Sequence, residues 1–172
     1  TVALFTMHGA IYALMKTEGA LHDKLRGWIT QCMIFFIICY AVTTMATLLY
    51  VPHMAARVRA NPWLFSIALA NMLAIANIPR EIHRGNDWRA FLSSCAGMIT
   101  LMGLFGLEMF PNLVLSNPNP AHSLDIYNAA SSSKTLGIML TMAGIGVPVV
   151  VAYTVSIYWI FRGKVQLDRM SY

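Results

Sequence analysis

Charge is scarce in this chain. Asp, Glu, Lys and Arg together make up 11% of its 172 residues, against about 25% in a typical soluble domain. So few charges cannot cover the surface of a water-soluble fold. Cysteine is scarce too: the three, Cys32, Cys39 and Cys95, all lie in apolar stretches. None forms a CxxC pair, so neither a zinc site nor a redox dithiol is signalled. Cys32 and Cys39 share a helix face and read as small packing residues. The sequence lacks GxGxxG, P-loop, HExxH and GxSxG patterns, which removes the signatures of the common soluble enzymes. The glycine-rich run Gly144–Pro148 lies inside an apolar block and is no phosphate loop. After Thr1 there is no basic n-region and no small-residue cleavage site. The expectation is a piece of a longer protein.

What the chain has in quantity is apolar length. Hydrophobic residues supply 58% of it, and they come in blocks, which is the signature of membrane helices. A helix needs roughly 20 apolar residues to cross a bilayer core. The expected fold is therefore all-α, a polytopic transmembrane helical bundle. It comprises the tail of one helix, at residues 1–16, and four full spans at 28–50, 62–79, 89–110 and 134–161. Pro62 suits a helix start, and Pro79 is expected to end the same helix. Residues 111–133 hold Pro111, Pro118 and Pro120 and cannot be regular helix throughout. Ser131, Ser132 and Ser133 offer capping oxygens for the last helix. Trp28, Tyr50, Trp63, Trp88, Tyr158 and Trp159 fall at the expected helix ends, where amphipathic rings suit the headgroup layer.

The net charge of +5 does not indicate nucleic acid, because the basic residues lie between the apolar blocks. Lys16, Lys24, Arg26, Arg80, Arg84, Arg89, Arg162, Lys164 and Arg169 fall on one side of the alternating spans. Arg57, Arg59 and Lys134 fall on the other. The richer side is expected to be cytoplasmic, the C-terminus included.

Of the histidines, only His8 lies in an apolar segment; His22, His53, His83 and His122 lie in connections. Transmembrane ligation of a b-type haem by two histidines needs a facing pair at matching depth, and none is present. His8 reads as a hydrogen-bonded histidine between helices. Glu108 is the one acid inside an apolar block, where a carboxylate marks a proton or polar role by default. It lies three residues before Pro111, near the outer boundary, which favours a modulating role. Asn71 and Asn77 read as amides linking helices. Gly137, Thr141 and Gly144 form a small-residue face, as do Ser93/Gly97 and Gly103/Gly106. Pro148 frees a backbone carbonyl and is expected to bend its helix. An interrupted helix of this kind also suits half of a secondary transporter, an alternative the residues leave open.

The stretch from His8 through Gly9-Ala10 and Lys16-Thr17-Glu18-Gly19 to His22 resembles a signature of the cytochrome bd oxidase subunit II family. Glu108-Met109-Phe110-Pro111 is similar to that family's Met-Phe-Pro helix end. Ser123 to Ser131 resembles its loop before the last helix. Gly146-Val147-Pro148, Ala152-Tyr153-Thr154 and Phe161-Arg162-Gly163-Lys164 resemble its final helix and tail. The pieces occur in the family's order.

This resemblance implies a bacterial plasma-membrane complex that oxidises quinol and reduces oxygen. Subunit I would carry two b-type haems and one d-type haem. Subunit II would be its heterodimeric partner, mainly structural, bathed in membrane lipid and binding no cofactor through this part. Of nine helices in such a subunit, this chain would hold the end of the fifth and the last four. The family's proton-delivering acid lies in the preceding half, so no catalytic residue carries over. Some members hold an apolar residue where this chain has Glu108.

Overall fold

The computed structural model describes residues 1–51, 61–117 and 119–164. Arg57, Arg59, Arg169, His53 and Pro118 lie outside the described residues. Five helices account for most of the chain: α1 (Val2–Lys16), α2 (Gly19–Tyr50), α3 (Trp63–His83), α4 (Asp87–Met109) and α5 (Ser133–Ile160). Helices α2, α3, α4 and α5 are each long and apolar enough to cross a membrane. The chain divides into two compact units, one built from α1–α4 and one spanning Met109–Gly163.

In the first unit α1 buries Ala3, Leu4, Met7, Ile11 and Leu14, a three-and-four spacing that lines one helix face. Ile29, Met33 and Phe36 of α2, Ile78 and Ile82 of α3 and Ala90 of α4 complete this core. Leu25, Tyr40, Ile75, Phe91, Met98 and Leu101 pack partly buried against it. Leu64 is buried as well, and many other large apolar side chains of these helices are exposed, as expected where lipid replaces water as the solvent.

Two turns of the first unit are dictated by glycine. Between α1 and α2 the chain reverses over Thr17 and Glu18, and Gly19 takes φ +65°, a left-handed conformation that costs glycine nothing. Carbonyls at the end of a helix lack intrahelical partners. Here Thr17 Oγ1 donates to Ala13 O at 2.9 Å, and His22 Nδ1 donates to Leu14 O at 3.2 Å. The Thr-Glu-Gly run and His22 thus form a cap on α1. At the end of α3, Gly85 takes φ +76°. Its N–H bonds Ile82 O at 3.1 Å, and the Asn86 N–H bonds Glu81 O at 2.9 Å. That pair of bonds is the Schellman closure of a helix.

Two boundaries differ from the sequence expectation. Helix α2 begins at Gly19 rather than Trp28, taking in the charged run expected to be a connection. Ala20, Leu21, Lys24, Leu25 and Arg26 are good helix formers, and a helix in water needs no apolar face all round. Trp28 accordingly lies within α2 and not at its end. Helix α3 does not stop at Pro79 but runs on to His83. A proline removes one hydrogen bond to the preceding turn, and the Schellman closure lies beyond it.

The second unit opens with a small antiparallel ribbon, β1 (Asn112–Val114) with β2 (Leu124–Asp125), and a 3-10 turn over Pro120–His122. Asp125 Oδ1 accepts from the N–H groups of Tyr127 and Asn128 at 2.8 and 2.6 Å. Ser132 then caps α5, accepting from Thr135 N–H at 3.3 Å, as the serine run implied. Helix α5 continues through Pro148 and carries no buried residue.

Candidate functional site

The polar residues of the first unit gather at two levels. The deeper level joins α2, α3 and α4. Asn71, fully buried, donates through Nδ2 to Gly97 O at 2.8 Å and to Thr100 Oγ1 at 2.9 Å. Its Oδ1 accepts from Tyr40 OH at 3.0 Å. A Cβ added to Gly97 would sit 3.6 Å from Ile75 Cγ1, so α3 and α4 run close together there. Asn77 Nδ2 donates to Ser93 Oγ at 2.8 Å. Both asparagines therefore link helices, as read from the sequence.

His8 belongs to the same level. Its Nδ1 lies 2.8 Å from Ser94 Oγ, and Ser94 Oγ donates to Phe91 O at 2.8 Å. With the serine proton on Phe91 O, Nδ1 serves as the donor to Ser94 Oγ in the tautomer that carries its proton there. The ring lies 5.1 Å, centroid to centroid, from that of Phe91. His8 is thus the interface histidine expected of it. The other described histidines lie elsewhere: His22 and His83 at the charged end of the helices, His122 in the second unit. Among the described residues no three or more His, Cys, Asp or Glu side chains converge on a point that would hold a metal ion, and His8 has no facing histidine. This set does not fit bis-histidine haem ligation.

The second level, at the α1–α2 and α3–α4 turns, was hidden in the sequence among residues read as connection. Glu81 is 4% exposed. Its Oε2 accepts from Asn86 Nδ2 at 3.1 Å, and its Oε1 lies 3.5 Å from Arg84 Nη1. Arg26 of α2 donates from Nη2 to Ile82 O on α3. His22 Nε2 stands 3.8 Å from Asp87 Oδ2. The available signal was the Gly85-Asn86 pair next to an acid, which marks a closed helix end with a partner for that acid.

The remaining candidates stand apart from these two levels. Glu108 lies at the end of α4 with both carboxylate oxygens buried. Gly137, Thr141, Gly144 and Pro148 are on α5. Thr141 Oγ1 donates to Gly137 O at 3.0 Å, so its hydroxyl is satisfied within the helix. A Cβ on Gly103, Gly106, Gly137 or Gly144 would meet nothing within 4 Å. Of the small-residue faces, Ser93/Gly97 is seen in use against another helix, α3, among the described residues.

Comparisons with known proteins identify the family of this chain. A profile described as cytochrome bd terminal oxidase subunit II matches residues 1–161. Cytochrome bd-I ubiquinol oxidase subunit 2 of Escherichia coli (strain K12) is 26% identical over 192 aligned residues, covering 96% of this chain and 50% of its own length. Cytochrome bd ubiquinol oxidase subunit 2 of Bacillus subtilis (strain 168) is 25% identical over 162 residues, covering 92% of this chain and 46% of its own. The chain therefore spans about half the length of these relatives. With residues 1–161 matched, this chain belongs to the cytochrome bd terminal oxidase subunit II family.

Proposed function

We propose that this chain is the C-terminal part of subunit II of a membrane-bound terminal oxidase that transfers electrons from quinol to oxygen in aerobic respiration. The family match over residues 1–161 carries this reading. In it, subunit I holds two b-type haems and one d-type haem and oxidises quinol. Those haems supply the redox chemistry. The present chain supports subunit I in a heterodimer and contributes no catalytic residue. Co-purification tests it: the full-length subunit should bring down a haem-bearing partner, and the pair should oxidise quinol at the expense of oxygen. Recovery of the subunit alone, or of a complex without quinol oxidase activity, would overturn the reading.

The placement proposed is the bacterial plasma membrane with the C-terminus in the cytoplasm. It is supported by the concentration of Lys and Arg at one set of helix ends. A cysteine introduced at Ser116 should react with a membrane-impermeant thiol reagent added outside intact cells. Reaction only after the cytoplasm is opened reverses the topology.

Two substitutions probe the residues nearest to chemistry. His8→Ala removes one hydrogen bond, worth about 1 kcal/mol between membrane helices, and should leave every haem absorption band of the assembled complex in place. Loss of one band in a normally assembled complex would make His8 a ligand. Glu108→Gln should leave most quinol oxidation intact, because the acid sits at the end of α4, where it tunes proton movement rather than enabling it. A near-total loss of turnover with all haems present would show an obligatory proton role.

A further inference from the structure

Between α2 and α3, at the charged end of the first unit, lies an open groove of about 260 Å³ lined by Arg26, Thr30, Met33, Pro79, Ile82 and His83. Its two walls are graded in the same direction. On α2, Arg26, Thr30 and Met33 fall at i, i+4 and i+7, one face of a helix, and pass from cation through hydroxyl to thioether. On α3, which ends at His83, the order back into the helix is His83, Ile82, Pro79. Both walls are cationic or titratable at the mouth and apolar further in.

Arg26 is held in place for a ligand. Its Nη2 is tied to Ile82 O, and that atom also lies 3.7 Å from where a Cβ on Gly85 would stand. A guanidinium carries five N–H donors in a rigid fork. Among the described residues the bond to Ile82 is the one hydrogen bond Arg26 makes, which leaves donors for a planar or tetrahedral oxyanion. The nearby acids do not cancel this charge. Glu81 is buried and paired with Arg84, and Asp87 faces His22. Asp23 is exposed, where water screens it. Trp28, with Lys24 Nζ 5.3 Å from its ring centroid, marks the headgroup level two residues beyond Arg26.

We infer that this groove is a binding site for an anionic glycerophospholipid, with the headgroup phosphate on Arg26 and His83 and an acyl chain along Met33, Ile82 and Pro79. The apolar inner half favours a lipid over free phosphate, and the Arg26 guanidinium, with the His83 ring beside it as a second hydrogen-bonding group, favours an anionic headgroup over a zwitterionic one. The reading does not depend on the oxidase reaction.

The test uses the complete subunit with whatever partners it brings, stripped in detergent and re-exposed to phosphatidylglycerol, phosphatidylcholine or inorganic phosphate, with bound lipid counted by native mass spectrometry. One phosphatidylglycerol should be retained in preference to phosphatidylcholine, and inorganic phosphate should not displace it. His83 is exposed, so His83→Glu should leave the fold intact while repelling the phosphate and weakening retention by about tenfold, as expected for loss of one charge-assisted hydrogen bond. Arg26→Lys, which keeps the charge and loses the fork, should weaken it less. Arg89→Gln, a cation at the same end but outside the groove, should change nothing. Equal retention of the two lipids, displacement by phosphate, or equal loss in His83→Glu and Arg89→Gln would each overturn the site.

Discussion

Gly144→Leu should abolish accumulation of the assembled, haem-loaded complex. The sign of this effect is informative. Within a helix leucine is favoured over glycine by about 1 kcal/mol, and among the described residues a Cβ at 144 meets nothing within 4 Å. Taken alone, the chain should gain from the change. Any loss must therefore come from a surface supplied by the rest of the subunit or by its partner. Helices in lipid gain no hydrophobic energy from associating; they gain from close contact, which small residues permit. Gly137, Thr141 and Gly144 repeat at spacings of four and three, and α5 buries none of its residues within this chain. Leucine at such a contact forces the backbones apart, at a cost of about 1–3 kcal/mol or more. The measurement is the yield of both subunits and of the haem bands from equal amounts of membrane. If the leucine variant assembles and turns over normally, this face looks onto lipid and the packing argument fails.

Asn71→Ala should destabilise the four-helix unit by about 2–4 kcal/mol, on a scale of about 0.6–2 kcal/mol for a hydrogen bond between membrane helices. The substitution removes three bonds at once and leaves the Tyr40 hydroxyl, the Gly97 carbonyl and the Thr100 hydroxyl without this partner. Asn77→Ala removes the bond to Ser93 and should cost about 1 kcal/mol or less. Heat or detergent unfolding of the purified complex separates the two. Equal midpoints for both variants would show that the buried amide is not a stabilising centre.

The bilayer crossings were legible because hydrophobic length reports where a helix meets lipid. Tyr50 and Trp63 lie at the ends found, and Ser132 caps α5 as its composition suggested. What hydropathy does not report is where a helix stops once it has left the lipid. Gly19–Gly27 is charged and was read as connection, but lysine, arginine, leucine and alanine sustain a helix in water as well as in a membrane. Pro79 looked terminal because a proline is costly within a helix; the turn that ends α3 is made instead by Gly85 and Asn86, a signal weaker than proline and easily passed over. The polar partnerships of Glu81, Arg26 and His22 were illegible for a different reason. Those of Arg26 and His22 reach Ile82 and Asp87, dozens of positions away, and spacing along a chain specifies neighbours on one helix but not across two. Those of Glu81 are local, to Arg84 and Asn86, but form only once the turn at Gly85 closes. His8 is hydrogen-bonded between helices as its place in an apolar segment implied, though nothing in the sequence pointed to Ser94 as its partner.

The continuity of α2 has a consequence for how this chain tolerates length change. Because helix runs unbroken from Gly19 to Tyr50, the charged segment and the lipid-facing segment share one rotational phase. A single residue inserted between Gly27 and Trp28 would turn one part against the other by about 100°. It would carry His22 and Arg26 away from Asp87 and Ile82, although nothing apolar had been touched. Insertion of a whole turn would restore the face but displace it by about 5 Å along the axis. The ribbon and turns between Met109 and Ser133 impose no such phase relation. Insertions and deletions in natural variants should therefore concentrate there, and a tag or epitope placed there should be carried with the least harm.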